Sequence, residues 1–176
     1  MFSMIWLSKL GDDNHMYYNM LKKAIYLLTE YQIFDYPIDK DTIEQIVLDK
    51  HLKIVTLKSL SKTLYIEDTI LMPKTQNNAY REDIVHELGH AYSHCGNSLL
   101  KNKTVVSKQE IQADAFAAYF LMPVYVFEEA MKYCGNDYEL AEEFGVTINF
   151  VKFRKQLTEA LIHDSYFDEL LEMSDY

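Results

Sequence analysis

REDIVHELGHAYSHCG, residues 81–96, gathers three histidines on one short run, with Glu87 directly after the first of them. Ile84, Val85, Leu88 and Ala91 recur in it at helical spacing, so the run reads as a helix with one side free to pack. His86 and His90 stand four residues apart, which places them about 40° apart around the helix with Cβ atoms about 5–6 Å from each other. Two imidazoles so placed can converge on one zinc ion at bond lengths of about 2.0–2.1 Å.

Glu87 points about 100° round from His86, poorly placed as a ligand and well placed beside an open coordination position. The set His86, Glu87, His90 is the His-Glu-x-x-His pattern, in which the glutamate is the general base of a metallopeptidase. An ordinary amphipathic helix with surface histidines could carry the same letters, so the reading turns on a third ligand. His94 lies one turn further, but three ligands in a row on a straight helix approach a metal from one side and cannot surround it. It reads as a helix-end residue or as support for the ligands.

The other candidate is Glu110, in the long helical run SKQEIQADAFAAYFL that extends from Ser107 to Pro123. Asp114 follows it by four residues on the same face, where a carboxylate can accept the free N–H of a zinc-binding histidine and fix its tautomer. Against this, Ser107 and Glu110 also have the spacing of a capping box, which would turn Glu110 back onto its own helix end. Asp114 favours the metal reading, because it sits in the apolar run ADAFAAYFL and a buried carboxylate is costly without a partner.

Around this pair of helices the chain reads as one compact, mostly helical body. With 176 residues and 49% hydrophobic content it can bury a substantial core. Tyr17, Leu21, Ala24, Leu28 and Tyr31 lay an apolar stripe along a first helix. Asp41 with Glu44 can cap a second, buried through Ile43, Ile46 and Val47. HLKIVTL and TLYIEDTILMP, rich in β-branched and apolar residues, predict short strands, the latter split around Glu67 and Asp68, forming a small antiparallel sheet. Pro123 suits the first turn of the next helix. The net charge of −10 argues against general affinity for nucleic acid or anionic membrane. Cys95 and Cys134 show no CxxC spacing and fit a reducing cytosol. MFSMIWLSKL lacks a basic leader and is too short to span a bilayer, which leaves a soluble cytoplasmic protein as the expectation.

Residues 1–127 are expected to form the metal-binding domain and 128–176 a helical extension packed on the same core. Within the extension, residues 139–157 resemble a helix-turn-helix around Gly145, with Asn149, Lys152, Arg154 and Lys155 as the residues that would face DNA. Glu139, Glu142, Glu143 and the acidic end DSYFDELLEMSDY oppose a phosphate-facing role, so direct nucleic-acid binding is not expected.

HELGH followed by EIQADAFAAYFLMP resembles the ImmA/IrrE family of zinc metallopeptidases, and FDYPIDKDTIEQIVLDKHLKIV is similar to that family's opening. The resemblance covers roughly residues 16–125. It implies a zincin-like α+β fold, a reduced thermolysin-type catalytic domain. By it, His86, His90 and Glu110 would hold Zn2+, Glu87 would be the base, and Asp114 would support a histidine. The chain departs from the family's usual residue before the first histidine by carrying Val85, with no chemical consequence expected. The implied activity is hydrolysis of a peptide bond in a regulatory protein, a helix-turn-helix transcriptional repressor. The competing hypothesis is a non-catalytic, zinc-containing interaction module that sequesters a repressor or another partner. Tyr80, Tyr92, His15 and His163 are candidates for the donor that would stabilise an oxyanion.

Overall fold

A computed structural model of the chain describes residues 14–74, 79–93 and 103–163. His94, Cys95, the N-terminal MFSMIWLSKL and the acidic end from Asp164 lie outside the described residues, as do the side chains of His15 and His163. Among those described are seven helices and three strands.

Helix α1 (Asn14–Glu30) buries Tyr17, Leu21, Ala24 and Leu28, the stripe that its spacing predicts. Helix α2 (Lys40–Asp49) is capped by Asp39, which accepts from the Thr42 backbone N–H at 2.8 Å. The expected cap was Asp41, two residues later; Asp41 instead lies in the first turn, where its charge suits the helix dipole. Glu44, freed from a capping role, accepts a hydrogen bond from the Tyr80 hydroxyl.

Strands β1 (Lys53–Leu57), β2 (Leu64–Ile66) and β3 (Thr69–Pro73) form a sheet in the order β1-β3-β2. The pairing of β2 with β3 is antiparallel, but that of β1 with β3 is parallel, so the sheet is mixed where an all-antiparallel one was expected. The tight turn at Glu67 and Asp68 fixes the hairpin, with Glu67 at a left-handed φ of 57°. The connection through residues 58–63 carries the chain past the place of β3 before β2 begins, and β3 then returns alongside β1.

Helices α3 (Tyr80–Ser93) and α4 (Lys103–Leu121) carry the candidate residues. From Ala115 to Met122 every residue of α4 and its end is buried, and α4 packs against α1, α3 and α7. Helix α5 (Val124–Tyr133) starts after Pro123, which takes the N-cap position. Helix α6 (Asp137–Phe144) ends at Gly145, φ 58°, with Val146 N–H bonded to Ala141 O at 2.9 Å and Gly145 N–H to Glu142 O at 3.1 Å. This is a Schellman ending, and it requires the left-handed residue that glycine supplies without strain. Helix α7 (Ile148–His163) follows. Leu140, Phe144, Val151, Leu157 and Leu161 belong to the same hydrophobic core as α1 and α4. No helix among the described residues is long and apolar enough to cross a membrane.

The helix-turn-helix shape is present, but Arg154 does not face outward. It is 1% exposed, with its guanidinium over the rings of Tyr119 and Phe127 at 4.9 Å each. Its Nε donates to the Met122 carbonyl at 2.8 Å and an NH to Thr158 Oγ1 at 2.6 Å. Lys155 is tied to Asp137 at 2.6 Å. Of the four residues singled out for DNA, only Asn149 and Lys152 are exposed. Arg154→Ala would leave the Met122 carbonyl unpaired and open a cavity between two rings. The expected loss is about 3 kcal/mol or more of stability, read as a lowered urea midpoint.

Candidate metal centre

Helices α3 and α4 approach so closely at Gly89 that any Cβ there would press on its neighbours. A Cβ on Gly89 would stand 3.0 Å from Phe116 Cδ1, 3.2 Å from Ala113 Cα and 3.3 Å from Ala113 O. Ala113 lies between Glu110 and Asp114, so the contact sets those two carboxylates against the histidines on α3.

There His86 Nε2 and His90 Nε2 are 3.1 Å apart. Glu110 places one carboxylate oxygen 3.6 Å from His86 Nε2 and the other 3.4 Å from His90 Nε2. A tetrahedral zinc site with bonds of about 2.0–2.1 Å has edges of about 3.3–3.4 Å. Each imidazole thus has one or the other Glu110 oxygen near that edge length, a single atom from each of the three residues lies within 4.8 Å of the others, and the donor set of two imidazoles and a carboxylate suits zinc. His86 Nδ1 is paired with Asp114 at 2.7 Å, which makes Nε2 the nitrogen that faces the cluster and whose lone pair becomes available once its proton is lost.

The capping-box alternative for Glu110 does not arise, because α4 begins at Lys103 and Ser107 lies inside it. Asp114 is partnered as the sequence suggests, but for a different reason from the one argued there. Its side chain is 48% exposed, so it sits at the rim of the cluster and not in the core.

Electrostatics follow from this packing. The strongest influence on His86, burial, disfavours its charged form. Hydrogen bonds to Asp114 and Glu110 outweigh it together and raise the pKa to about 10. The same histidines hold the Glu110 carboxyl well below the usual carboxylate range. Glu87 is 7% exposed, and its burial pushes the pKa up. It lies next to the cluster, in a cleft of about 690 Å³ lined also by His86, Glu110 and Asp114.

Of the donors considered for an oxyanion, Tyr80 lines this cleft with its hydroxyl given to Glu44. Tyr92 is stacked on Phe116, ring centroids 5.9 Å apart, and is not among the lining residues. Sequence reasoning missed three features. Asp83 also lines the cleft, and its position four residues before Glu87 was a legible sign. The other two left none: Arg81 donates to Gly145 O at 2.7 Å, and Glu82 accepts from the Thr147 backbone N–H.

A family model described as the IrrE N-terminal-like domain matches residues 39–155. Among solved structures, a Mycobacterium tuberculosis transcriptional regulator aligns with a TM-score of 0.65 at 17% identity, over 81% of this chain and 47% of that one. At that identity the likeness is one of fold, and the chain spans about half the length of that protein. No curated protein matches the chain.

Gly89→Val tests the crossing. Overpacking there should cost about 1–3 kcal/mol. By moving Glu110 off the histidines it should also weaken zinc binding in a competitive titration, whereas a valine at exposed Lys152 should leave zinc binding unchanged.

Proposed function

The chain belongs to the IrrE N-terminal-like domain family, a peptidase family, and on that premise we propose that it is a zinc-dependent endopeptidase acting on a regulatory protein, a helix-turn-helix transcriptional repressor. The observation that carries the proposal is the triangle of His86, His90 and Glu110 donors with buried Glu87 beside it. Zinc held by these three residues would supply Lewis acidity, acidifying a water molecule and polarising a peptide carbonyl.

The chain's own residues do the rest. Asp114 holds the His86 ring in the tautomer and orientation that direct Nε2 to the metal. Glu87, its proton affinity raised by burial, takes a proton from the water as the new C–O bond forms. It passes that proton to the amine nitrogen as the C–N bond breaks. Val85 and Leu88 anchor the histidine helix in the core, and Ala113 of the next helix lies against Gly89. The choice of a repressor as substrate rests on the family resemblance carried by HELGH and EIQADAFAAYFLMP.

The test uses a helix-turn-helix repressor sought among the reading frames next to this chain's gene. Wild-type protein with zinc should cut it, and Glu87→Gln should keep zinc while losing about 10²–10⁴-fold in rate. If both proteins capture the repressor intact and neither cuts it, the peptidase reading is wrong and the sequestering module stands.

Two further outcomes concern the metal. Asp114→Ala should weaken zinc affinity about 10–100-fold, measured against a chelator. Because His86 retains its proton up to a pKa of about 10, zinc must displace it at neutral pH. Affinity should therefore rise with pH across the neutral range, about tenfold per unit for each proton displaced, and fall on acidification.

A further inference from the structure

We propose that Asp83 selects a basic side chain, lysine or arginine, within about two residues of the bond cleaved. This inference rests on the peptidase reading and names a substrate preference for the same cleft.

Five carboxylates line the cleft: Glu82, Asp83, Glu87, Glu110 and Asp114. Four of them are committed. Glu82 accepts from Thr147, through its backbone N–H and its hydroxyl. Glu110 and Asp114 are held by the histidines, and Glu87 is buried next to the cluster. Asp83 has neither an ion pair nor a backbone N–H donor to its carboxylate among the described residues, and the opposite charge that acts on it, His86, is already held by Asp114 and Glu110. Its one hydrogen bond is from the Thr63 hydroxyl at 3.3 Å, at the long end of the range. Burial disfavours its charged form, as expected for a carboxylate short of donors. A substrate ammonium or guanidinium would supply the missing charge-assisted bond, in a partly buried place where it is stronger than at the open surface.

The position follows from helix geometry. Asp83 precedes Glu87 by four residues, about 6 Å along the axis at 1.5 Å per residue. An extended peptide advances about 3.3 Å per residue, so a substrate side chain over Asp83 belongs about two residues from the bond over Glu87. Across the cleft the wall is Leu60, Ser61, Lys62 and Thr63. Thr63 orients the Asp83 carboxylate from that side, and exposed Lys62 makes no ion pair with it among the described residues.

The experiment uses the full chain with one equivalent of zinc and a random decapeptide library, the cut products being identified by mass spectrometry. Lysine and arginine should be enriched within two residues of the cut. Asp83→Asn should lower kcat/KM for peptides with a basic residue there roughly tenfold or more while sparing the matched leucine peptides. Asp83→Lys should shift the preference to acidic residues. Cleavage with no basic enrichment, or enrichment that survives Asp83→Asn, overturns the assignment of Asp83. A second arm reads binding alone, by retention of the same library on zinc-loaded Glu87→Gln. If the wild type cuts nothing, the peptidase reading fails, and this arm still decides about Asp83. Retention of basic peptides that disappears on adding Asp83→Asn supports it; no basic preference, or no retention, overturns it.

Discussion

The crossing of α3 and α4 at Gly89 and Ala113 is the constraint on which the rest of the structure depends. A helix presents a row of side chains on each face, and two helices at ordinary separation would hold Glu110 further from the histidines. Removing a single Cβ lets the backbones close to van der Waals contact. The contact also fixes orientation: with Ala113 against Gly89, Glu110 and Asp114 fall on either side, one towards both Nε2 atoms and the other onto His86 Nδ1. The buried run from Ala115 to Met122 then anchors the deeper part of α4 in the core, so the carboxylates are held by a rigid element and not by a loop.

That packing buries one of the three carboxylates and leaves the other two about half exposed. Glu87 is deepest, and desolvation makes it a better proton acceptor. Glu110 is exposed enough to be hydrated, yet two histidines keep it ionised. Asp114 is at the rim. A carboxylate held ionised by cations and one pushed towards its protonated form need opposite environments, and the faces of two neighbouring helices provide both in one cleft.

Most of this site was legible in the sequence because helical periodicity is an angular rule. His86, Glu87 and His90 are placed by it directly, and so are Glu110 with Asp114. What it does not give is how deep each residue lies. Asp114 was expected in the interior because its neighbours are apolar, but the same periodicity turns it to the rim while Ala115 to Phe120 go inside. Arg154 is the converse. Its charge suggested an exposed residue, yet Val151, Arg154, Leu157 and Leu161 lie on one stripe, and the stripe is buried. The sheet shows another limit, since alternation of side chains marks a strand without naming its neighbour, and the parallel β1–β3 pairing depends on the path of residues 58–63. At α2, either Asp39 or Asp41 has the chemistry of a cap, and only the backbone turn of the Pro-Ile-Asp segment decides for Asp39.

The C-terminal helices matter to the site for a reason that neither motif reveals. Arg81, in the first turn of α3, donates to Ile38 O at 3.2 Å and to Gly145 O at 2.7 Å. Glu82 beside it accepts from Thr147 at the start of α7. The N-terminal end of the histidine helix is thus held between the approach to α2 and the turn joining α6 to α7. Its other face is fixed by the crossing at Gly89. A helix clamped at one end and packed at its centre has little freedom to roll, and rolling by one residue's angle would carry His86 and His90 away from Glu110. The left-handed Gly145 turns its carbonyl to Arg81, so the conformation that ends α6 also helps to set the axis of α3. The helix-turn-helix shape here thus has a structural part to play through its contacts with the histidine helix.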